Sequence, residues 1–155
     1  MPGKIDSRLA ELDIRLPDAN PPVANYVPYV KTGNLVFVSG QVPMMDGAAQ
    51  YVGKIGDGLS VEDGYAAARI CATNLLAHLR QACVGDLDRV RRVVKLGGFV
   101  NCSPDFTDIP AVINGASDLL VDVFGDAGRH ARFAVGTAAL PLGVSVEVDG
   151  IFEIE

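Results

Sequence analysis

The chain has 155 residues, 49% of them hydrophobic, and its 19 acidic and 13 basic side chains give a formal charge of −6. This length suits one domain over residues 1–155, and the apolar content excludes an intrinsically disordered chain. The acidic balance argues against a polyanionic partner, so nucleic-acid binding is disfavoured from the outset.

The cysteines and histidines exclude two further classes of protein. Cys71, Cys83 and Cys102 are odd in number and form no Cys-x-x-Cys pair, which argues against a disulfide framework and a zinc site. His78 and His130 are too few and too scattered for a metal cluster. The N-terminal residues lack the apolar segment of a signal peptide, and no apolar run reaches the roughly 18 residues of a membrane helix. We therefore expect a cytoplasmic protein with no membrane association.

The first third of the chain predicts a helix, an extended segment and a strand. Helical spacing connects three apolar residues near the N-terminus, Ile5, Leu9 and Leu12. Pro17 ends this helix, and further prolines keep residues 17–28 extended. Residues 34–39 are rich in strand formers and stop at a glycine, which predicts a strand. Four glycines make residues 44–59 a turn-rich connection.

The remaining two thirds alternate between helical and strand periodicity. Ser60, followed three residues later by Asp63, is typical of a helix N-terminus. Pro110 occupies the first turn of a second helix, where its missing N–H costs little. The predicted elements are a helix over about 61–83, a strand over 90–100, a helix over 109–123, and strands over 132–139 and 144–154.

This order of elements predicts an α+β fold, a mixed β-sheet with two helices packed on one face and an N-terminal helical extension. Such a sheet has a second face, and no other segment of the chain can cover it. A second copy of the chain is the natural partner for that face.

Arg132 begins an otherwise apolar strand, where an unpaired guanidinium would be costly to bury. Its planar fork suits a carboxylate held by two hydrogen bonds. The strand alone favours a simpler alternative, in which Arg132 forms a salt bridge with a nearby Asp or Glu.

Glu147 and His130 are the other candidates from the residues themselves. Glu147 alternates with apolar neighbours, so its side chain is solvated unless that face of the strand lines a cleft, where it could be a general base. His130 lies two residues before Arg132 and shares its face if the strand starts early. An ordinary loop histidine is the favoured interpretation.

Several segments together are similar to one protein family. Arg132 is followed nine residues later by Pro141, and Glu147 lies six residues beyond that proline. Other matching segments are Ser39-Gly40-Gln41-Val42-Pro43, Pro28-Tyr29 and Asn114. These features resemble the RidA/YjgF family, also called the endoribonuclease L-PSP family, over about residues 26–154. The N-terminal extension over 1–17 and the segment 112–120 resemble its longer, chorismate mutase-like branch.

The resemblance implies a chorismate mutase-like α+β fold and a homotrimer with sites between subunits. It implies hydrolysis of reactive 2-imino or enamine acids to 2-keto acids and ammonia, without a cofactor. Arg132 would bind the substrate carboxylate, and Glu147 would deprotonate the attacking water. Tyr29 and Asn114 would line the pocket, and Gly40 would let the backbone approach the ligand.

The two residues after Arg132 depart from the family pattern. Phe133 replaces a small polar residue but should point away from Arg132, and Ala134 replaces a frequent cysteine on the arginine's own face. The alternative function is a non-catalytic trimer that binds a small keto acid, which would need Arg132 but not Glu147. An endoribonuclease is disfavoured by the acidic charge, and a chorismate mutase would rest on fold analogy alone.

Overall fold

The four strands predicted from the sequence assemble, with one further short strand, into a five-stranded mixed sheet. The computed structural model describes residues 2–19 and 25–155. Its three helices are α1 (Lys4–Glu11), α2 (Val61–Ala82) and α3 (Ile109–Phe124). Its strands are β1 (Tyr29–Thr32), β2 (Leu35–Gln41), β3 (Met44–Met45), β4 (Ala48–Ala49), β5 (Lys54–Ile55), β6 (Gly58–Leu59), β7 (Val90–Asn101), β8 (Ala131–Thr137) and β9 (Val146–Ile154).

The sheet has the order β1-β2-β9-β7-β8 and is antiparallel except for the β7–β8 pair. Helices α2 and α3 pack against one face of this sheet. Their fully buried side chains, together with those of the strands, form the core, which includes Leu75, Leu76, Ile113, Leu120 and Phe152. The predicted α+β arrangement, with two helices on one face, is therefore confirmed.

Helix α2 begins as its sequence predicts. The Ser60 side chain accepts a hydrogen bond from the Asp63 amide at 3.1 Å, and the Asp63 carboxylate accepts one from the Ser60 amide at 2.9 Å. This reciprocal pair satisfies two amides that the first turn of a helix leaves free. It fixes where α2 starts above the sheet.

Gly115 lets α3 approach α2 closely. A Cβ atom at this position would collide with the Tyr65 carbonyl oxygen, which is backbone and cannot move aside. Gly64, on α2, faces side-chain atoms of Val112 and Ile55 instead. This close contact fixes the distance between α2 and the turn of α3 that carries Asn114.

Gly115→Ala is expected to destabilise the fold by about 1–3 kcal/mol, because the added methyl overpacks the α2–α3 contact. Gly64→Ala is the matched control, since its added methyl would meet side-chain atoms rather than backbone, and its loss should be smaller. Urea unfolding of both variants measures the difference. A Gly115→Ala protein as stable as the wild type would show that helix propensity, which favours alanine by about 1 kcal/mol, outweighs the collision.

The N-terminal helix α1 is attached to the rest of the fold by both apolar and polar contacts. Ile5 and Leu9 are buried in the main core. The Asp88 carboxylate accepts hydrogen bonds from the amides of Lys4, at 2.9 Å, and Ile5, at 2.8 Å. The Ile5 amide, followed by that of Lys4, lowers the pKa of Asp88. A carboxylate from elsewhere in the chain thus caps the N-terminus of α1 and fixes the residue at which this helix begins.

Several boundaries differ from the sequence predictions. Strand β1 was not predicted, because it is short and three of its four residues are exposed. Strand β8 ends at Thr137 rather than 139, since the chain turns through Pro141–Gly143, where Leu142 has a φ of 60°. Residues 44–59 contain the short strands β3 to β6 among their turns. The extended segment predicted over 17–28 lies partly outside the described residues.

The face of the sheet opposite the helices carries large apolar side chains. Phe37, Phe99, Phe133 and Val135 are between 36% and 41% exposed. The Phe99 and Phe133 rings meet edge to face with centroids 5.3 Å apart. A depression of about 260 Å³ lies on this face, lined in part by Val30, Phe37, Lys95, Phe133 and Ile151. Within the described residues no element covers this face, as the sequence predicted.

Within residues 2–19 and 25–155, no helix has the length and hydropathy needed to cross a membrane.

Candidate functional site

Arg132 lies on edge strand β8 and points to the same side of the sheet as the helices. Its Nη1 donates hydrogen bonds to the Asn114 Oδ1 at 2.9 Å and to the Ser117 Oγ at 3.0 Å. Both acceptors lie on α3, one turn apart, so they present their side chains side by side. The guanidinium is therefore held at one nitrogen by two neutral groups.

No carboxylate pairs with Arg132 among the residues that the structure describes. The ion pairs found there are Arg8–Glu11, Arg80–Asp6, Arg91–Glu155 and Arg129–Asp126. The salt bridge with a nearby Asp or Glu, which the strand alone favoured, is therefore wrong. Within the same residues, Nε and Nη2 have no protein acceptor, and they form the side of the guanidinium that binds a carboxylate through two parallel hydrogen bonds.

His130 joins this cluster from the loop before β8. Its Nε2 lies 2.8 Å from the Ser117 Oγ, and its Nδ1 lies 2.6 Å from the Gly128 carbonyl oxygen. Burial lowers the pKa of His130, and the charge of Arg132 lowers it further, against the opposing effect of the Gly128 carbonyl. A lowered pKa favours neutral imidazole at pH 7. His130 is thus a loop histidine, as predicted, but one fixed at both nitrogens.

Glu147 lies on β9, the central strand, next to Gly40 of β2. A Cβ atom at Gly40 would come within 2.6 Å of the Glu147 Oε1, so any larger residue would displace the carboxylate. Burial raises the pKa of Glu147, and the nearby Asp149 raises it further. A half-buried carboxylate with a raised pKa is suited to accept a proton near neutral pH.

The register of the sheet places Arg132 and Glu147 on opposite faces. Arg132 pairs with Leu96 of β7, which is fully buried under the helices. Glu147 pairs with Phe99 of the same strand, which is exposed on the open face. Leu96 and Phe99 are three residues apart in a regular stretch, so their side chains point in opposite directions. One chain therefore carries two half-sites: Arg132 with its α3 partners, and Glu147 with Gly40.

Tyr29 belongs to neither half-site in a single chain. It pairs with the buried Val38 and packs against the core from the helix side of β1. Tyr26, three residues earlier, is instead 53% exposed. The carbonyl of the adjacent Val27 accepts a hydrogen bond from the Ser39 Oγ at 2.8 Å, which holds this segment beside Gly40. The assignment of Tyr29 to the pocket stays a prediction for the assembled protein.

Ser117 is a residue of the Arg132 half-site that sequence reasoning missed. Its only signal in the sequence is its spacing of three from Asn114 on a predicted helix, which places the two side chains on one face. Phe133 behaves as predicted: it pairs with Gly97 and points to the open face, away from Arg132. No group of three or more His, Cys, Asp or Glu side chains in the described chain is arranged to hold a metal ion.

Fold and sequence together define the class of this protein. Residues 6–153 match the family described as YjgF/chorismate mutase-like, whose members are candidate endoribonucleases, and the chain belongs to that family. The chorismate mutase-like α+β fold implied by the sequence resemblance is confirmed by the structural matches.

Three individual relatives span nearly the whole chain. Protein TCP17 of Trypanosoma cruzi is 51% identical over 153 residues, which cover 98% of this chain and 95% of that protein. The crystal structure of Atu1372 from Agrobacterium tumefaciens, of unknown function, is 49% identical with a TM-score of 0.92, over 97% of this chain and 92% of that one. A candidate endoribonuclease from Shewanella oneidensis MR-1 is 36% identical with a TM-score of 0.94, over 98% and 100% of the two chains.

Proposed function

We propose that this protein hydrolyses 2-imino and enamine acids to 2-keto acids and ammonia, in a site completed between two copies of the chain. The observation that carries this proposal is the arginine fork. Arg132 is anchored at Nη1 by Asn114 and Ser117, and its remaining nitrogens have no acceptor in the described residues. A small carboxylate is the ligand that matches those donors in charge and geometry.

The chemistry needs little beyond positioning and one base. An iminium carbon is already electrophilic, so a water molecule adds to it when a carboxylate removes the proton from that water. The protonated carboxyl then returns that proton to the nitrogen, the carbon–nitrogen bond breaks and ammonia leaves, and the added hydroxyl gives up its remaining proton as the carbon becomes the keto group. Glu147 supplies the base, and its raised pKa brings its basicity closer to the working pH.

The position of the two half-sites supports assembly. Arg132 and Glu147 cannot face one cavity within a single chain, because they lie on opposite sides of the sheet. The exposed apolar side chains beside Glu147 would be buried if another copy covered the open face. We infer a homotrimer, in which each cleft takes Arg132 from one subunit and Glu147 from the next.

The direct test generates 2-aminoacrylate or 2-iminobutyrate in the presence of the purified protein and follows keto-acid release. The proposal requires release faster than the spontaneous hydrolysis of the same intermediate. The alternative is a protein that binds a keto acid without turnover. This function needs Arg132 but not Glu147, and one chain already contains the whole Arg132 half-site. Calorimetry with 2-ketobutyrate separates the two functions, because tight binding without any acceleration of release would support the binder.

Glu147→Gln is expected to lower kcat/KM for imino-acid hydrolysis by about 10²–10⁴-fold, the usual range for loss of a general base. The base must be ionised, so activity falls as pH decreases through the pKa of Glu147, which lies above the ordinary glutamate value. Asp149→Asn is the matched control: it removes the charge that helps to raise this pKa, so the acidic limb should move to lower pH while turnover persists. An unchanged pH profile in Glu147→Gln would remove Glu147 from the mechanism.

A further inference from the structure

The hydrogen bonds of His130 determine its tautomer. A carbonyl oxygen can only accept, so the 2.6 Å contact with the Gly128 oxygen requires the proton on Nδ1. The neutral ring then has its lone pair on Nε2. The Ser117 hydroxyl, 2.8 Å away, must donate its proton to that lone pair. The imidazole thus faces Ser117 as an acceptor.

Arg132 completes the arrangement from the other side of Ser117. Its Nη1 donates to the same Oγ at 3.0 Å, so the serine oxygen accepts from a cation while it donates to a base. A guanidinium at this distance stabilises the negative charge that develops on Oγ when its proton leaves. An activated serine needs a nucleophile, a base within hydrogen-bond reach and a third group that orients the base. Here these are the Ser117 hydroxyl, His130 and the Gly128 carbonyl.

We propose that Ser117 is a nucleophile that accepts an acyl group from small esters bearing a free carboxylate. The serine oxygen attacks the ester carbonyl carbon while its proton passes to the His130 Nε2. The ester carbon–oxygen bond breaks, and the leaving alkoxide takes that proton. Water then hydrolyses the acyl-serine, again with His130 as base, and returns the free hydroxyl.

The surroundings of Ser117 define the substrate class. The free Nε and Nη2 of Arg132 bind a carboxylate close to Oγ, which selects an acyl group carrying a second, ionised carboxyl. Ser117 is half-buried and the adjacent Asn114 is exposed, so a small molecule can reach the hydroxyl from solvent. The Glu147 of the same chain takes no part, because it lies on the opposite face of the sheet.

The probe is mono-4-nitrophenyl succinate, incubated with the full chain and no imino acid, so the result stands whether or not the protein is a deaminase. When the reaction is stopped with acid before the acyl-serine is hydrolysed, intact-mass and peptide analysis should find one succinyl group on Ser117, with release of nitrophenol. Ser117→Ala should lose the adduct, and Ser117→Cys, which keeps a nucleophile, should restore it. Ser7→Ala, which removes an exposed hydroxyl bonded only within its own helix turn, is the control and should match the wild type.

Three further measurements separate a nucleophile from a serine that only positions Arg132. His130→Gln should slow acylation by about a hundredfold or more, and the wild-type rate should rise with pH as His130 loses its proton. Arg132→Ala should slow the succinyl ester far more than uncharged 4-nitrophenyl acetate. Succinylation spread over surface residues, or an equal adduct in Ser117→Ala, would overturn the proposal.

Discussion

Arg132→Ala is expected to reduce kcat/KM for 2-imino acids by at least about a hundredfold. In the proposed function, the substitution removes both charge-assisted hydrogen bonds to the substrate carboxylate, each worth about 1.5–3 kcal/mol, and 1.36 kcal/mol corresponds to a tenfold change in rate. It also leaves Asn114 and Ser117 without their shared donor. Keto-acid release from an imino acid generated in situ measures the loss.

Two variants show whether the geometry or only the charge of Arg132 matters. Arg132→Lys keeps the charge but loses the planar fork, so it should recover a small part of the activity. Arg129→Ala is the control: it removes one positive charge three residues away, from an exposed arginine paired with Asp126, and turnover should be unchanged. Equal losses in Arg129→Ala and Arg132→Ala would indicate a general effect of charge rather than a bound carboxylate.

Asn114→Ala tests how Arg132 is held. The variant removes one of the two acceptors at Nη1 and leaves Ser117 as the other. The guanidinium keeps its charge but loses part of its orientation. We therefore expect KM for 2-imino acids to rise, and kcat/KM to fall several times less than it does in Arg132→Ala. Keto-acid release at a series of substrate concentrations measures both.

The sequence predicted the long elements because their periodicity is unambiguous over many residues. Helix α2 runs for 22 residues and β7 for 12, and both carry apolar residues along most of their length. Strand β1 has four residues and a single half-buried side chain, so no pattern distinguishes it from a loop. Tyr29 was assigned to the site only by the resemblance. Its packing against the core follows from its pairing with Val38, and no pattern in the sequence predicts that pairing.

The sequence also could not predict that Arg132 and Glu147 lie on opposite faces of the sheet. Alternation along a strand relates Arg132 to Phe133, or Glu147 to Val148, but it relates no residue of β8 to any residue of β9. That relation runs through β7, where Leu96 pairs with Arg132 and Phe99 with Glu147. Only the observed register shows that a single chain cannot bring the arginine and the glutamate into one cavity.

This division has a quantitative consequence for mixed assemblies. Arg132→Ala and Glu147→Gln are each expected to be inactive when assembled alone, because every cleft then lacks one group. If the two proteins are refolded or co-expressed together, some clefts combine Arg132 from one subunit with Glu147 from its neighbour. Random mixing in equal amounts gives both groups to about a quarter of the clefts in a closed assembly of this kind.

Activity restored to about a quarter of the wild-type value would therefore show that the site is shared between subunits. Mixing the two variants after assembly, without exchange of subunits, is the matched control and should give no activity. If Arg132 and Glu147 acted within one chain, every chain in the mixture would still lack one of them, and no mixture could recover. Turnover by a monomer at high dilution would contradict the shared site directly, since the two groups lie on opposite faces of its sheet.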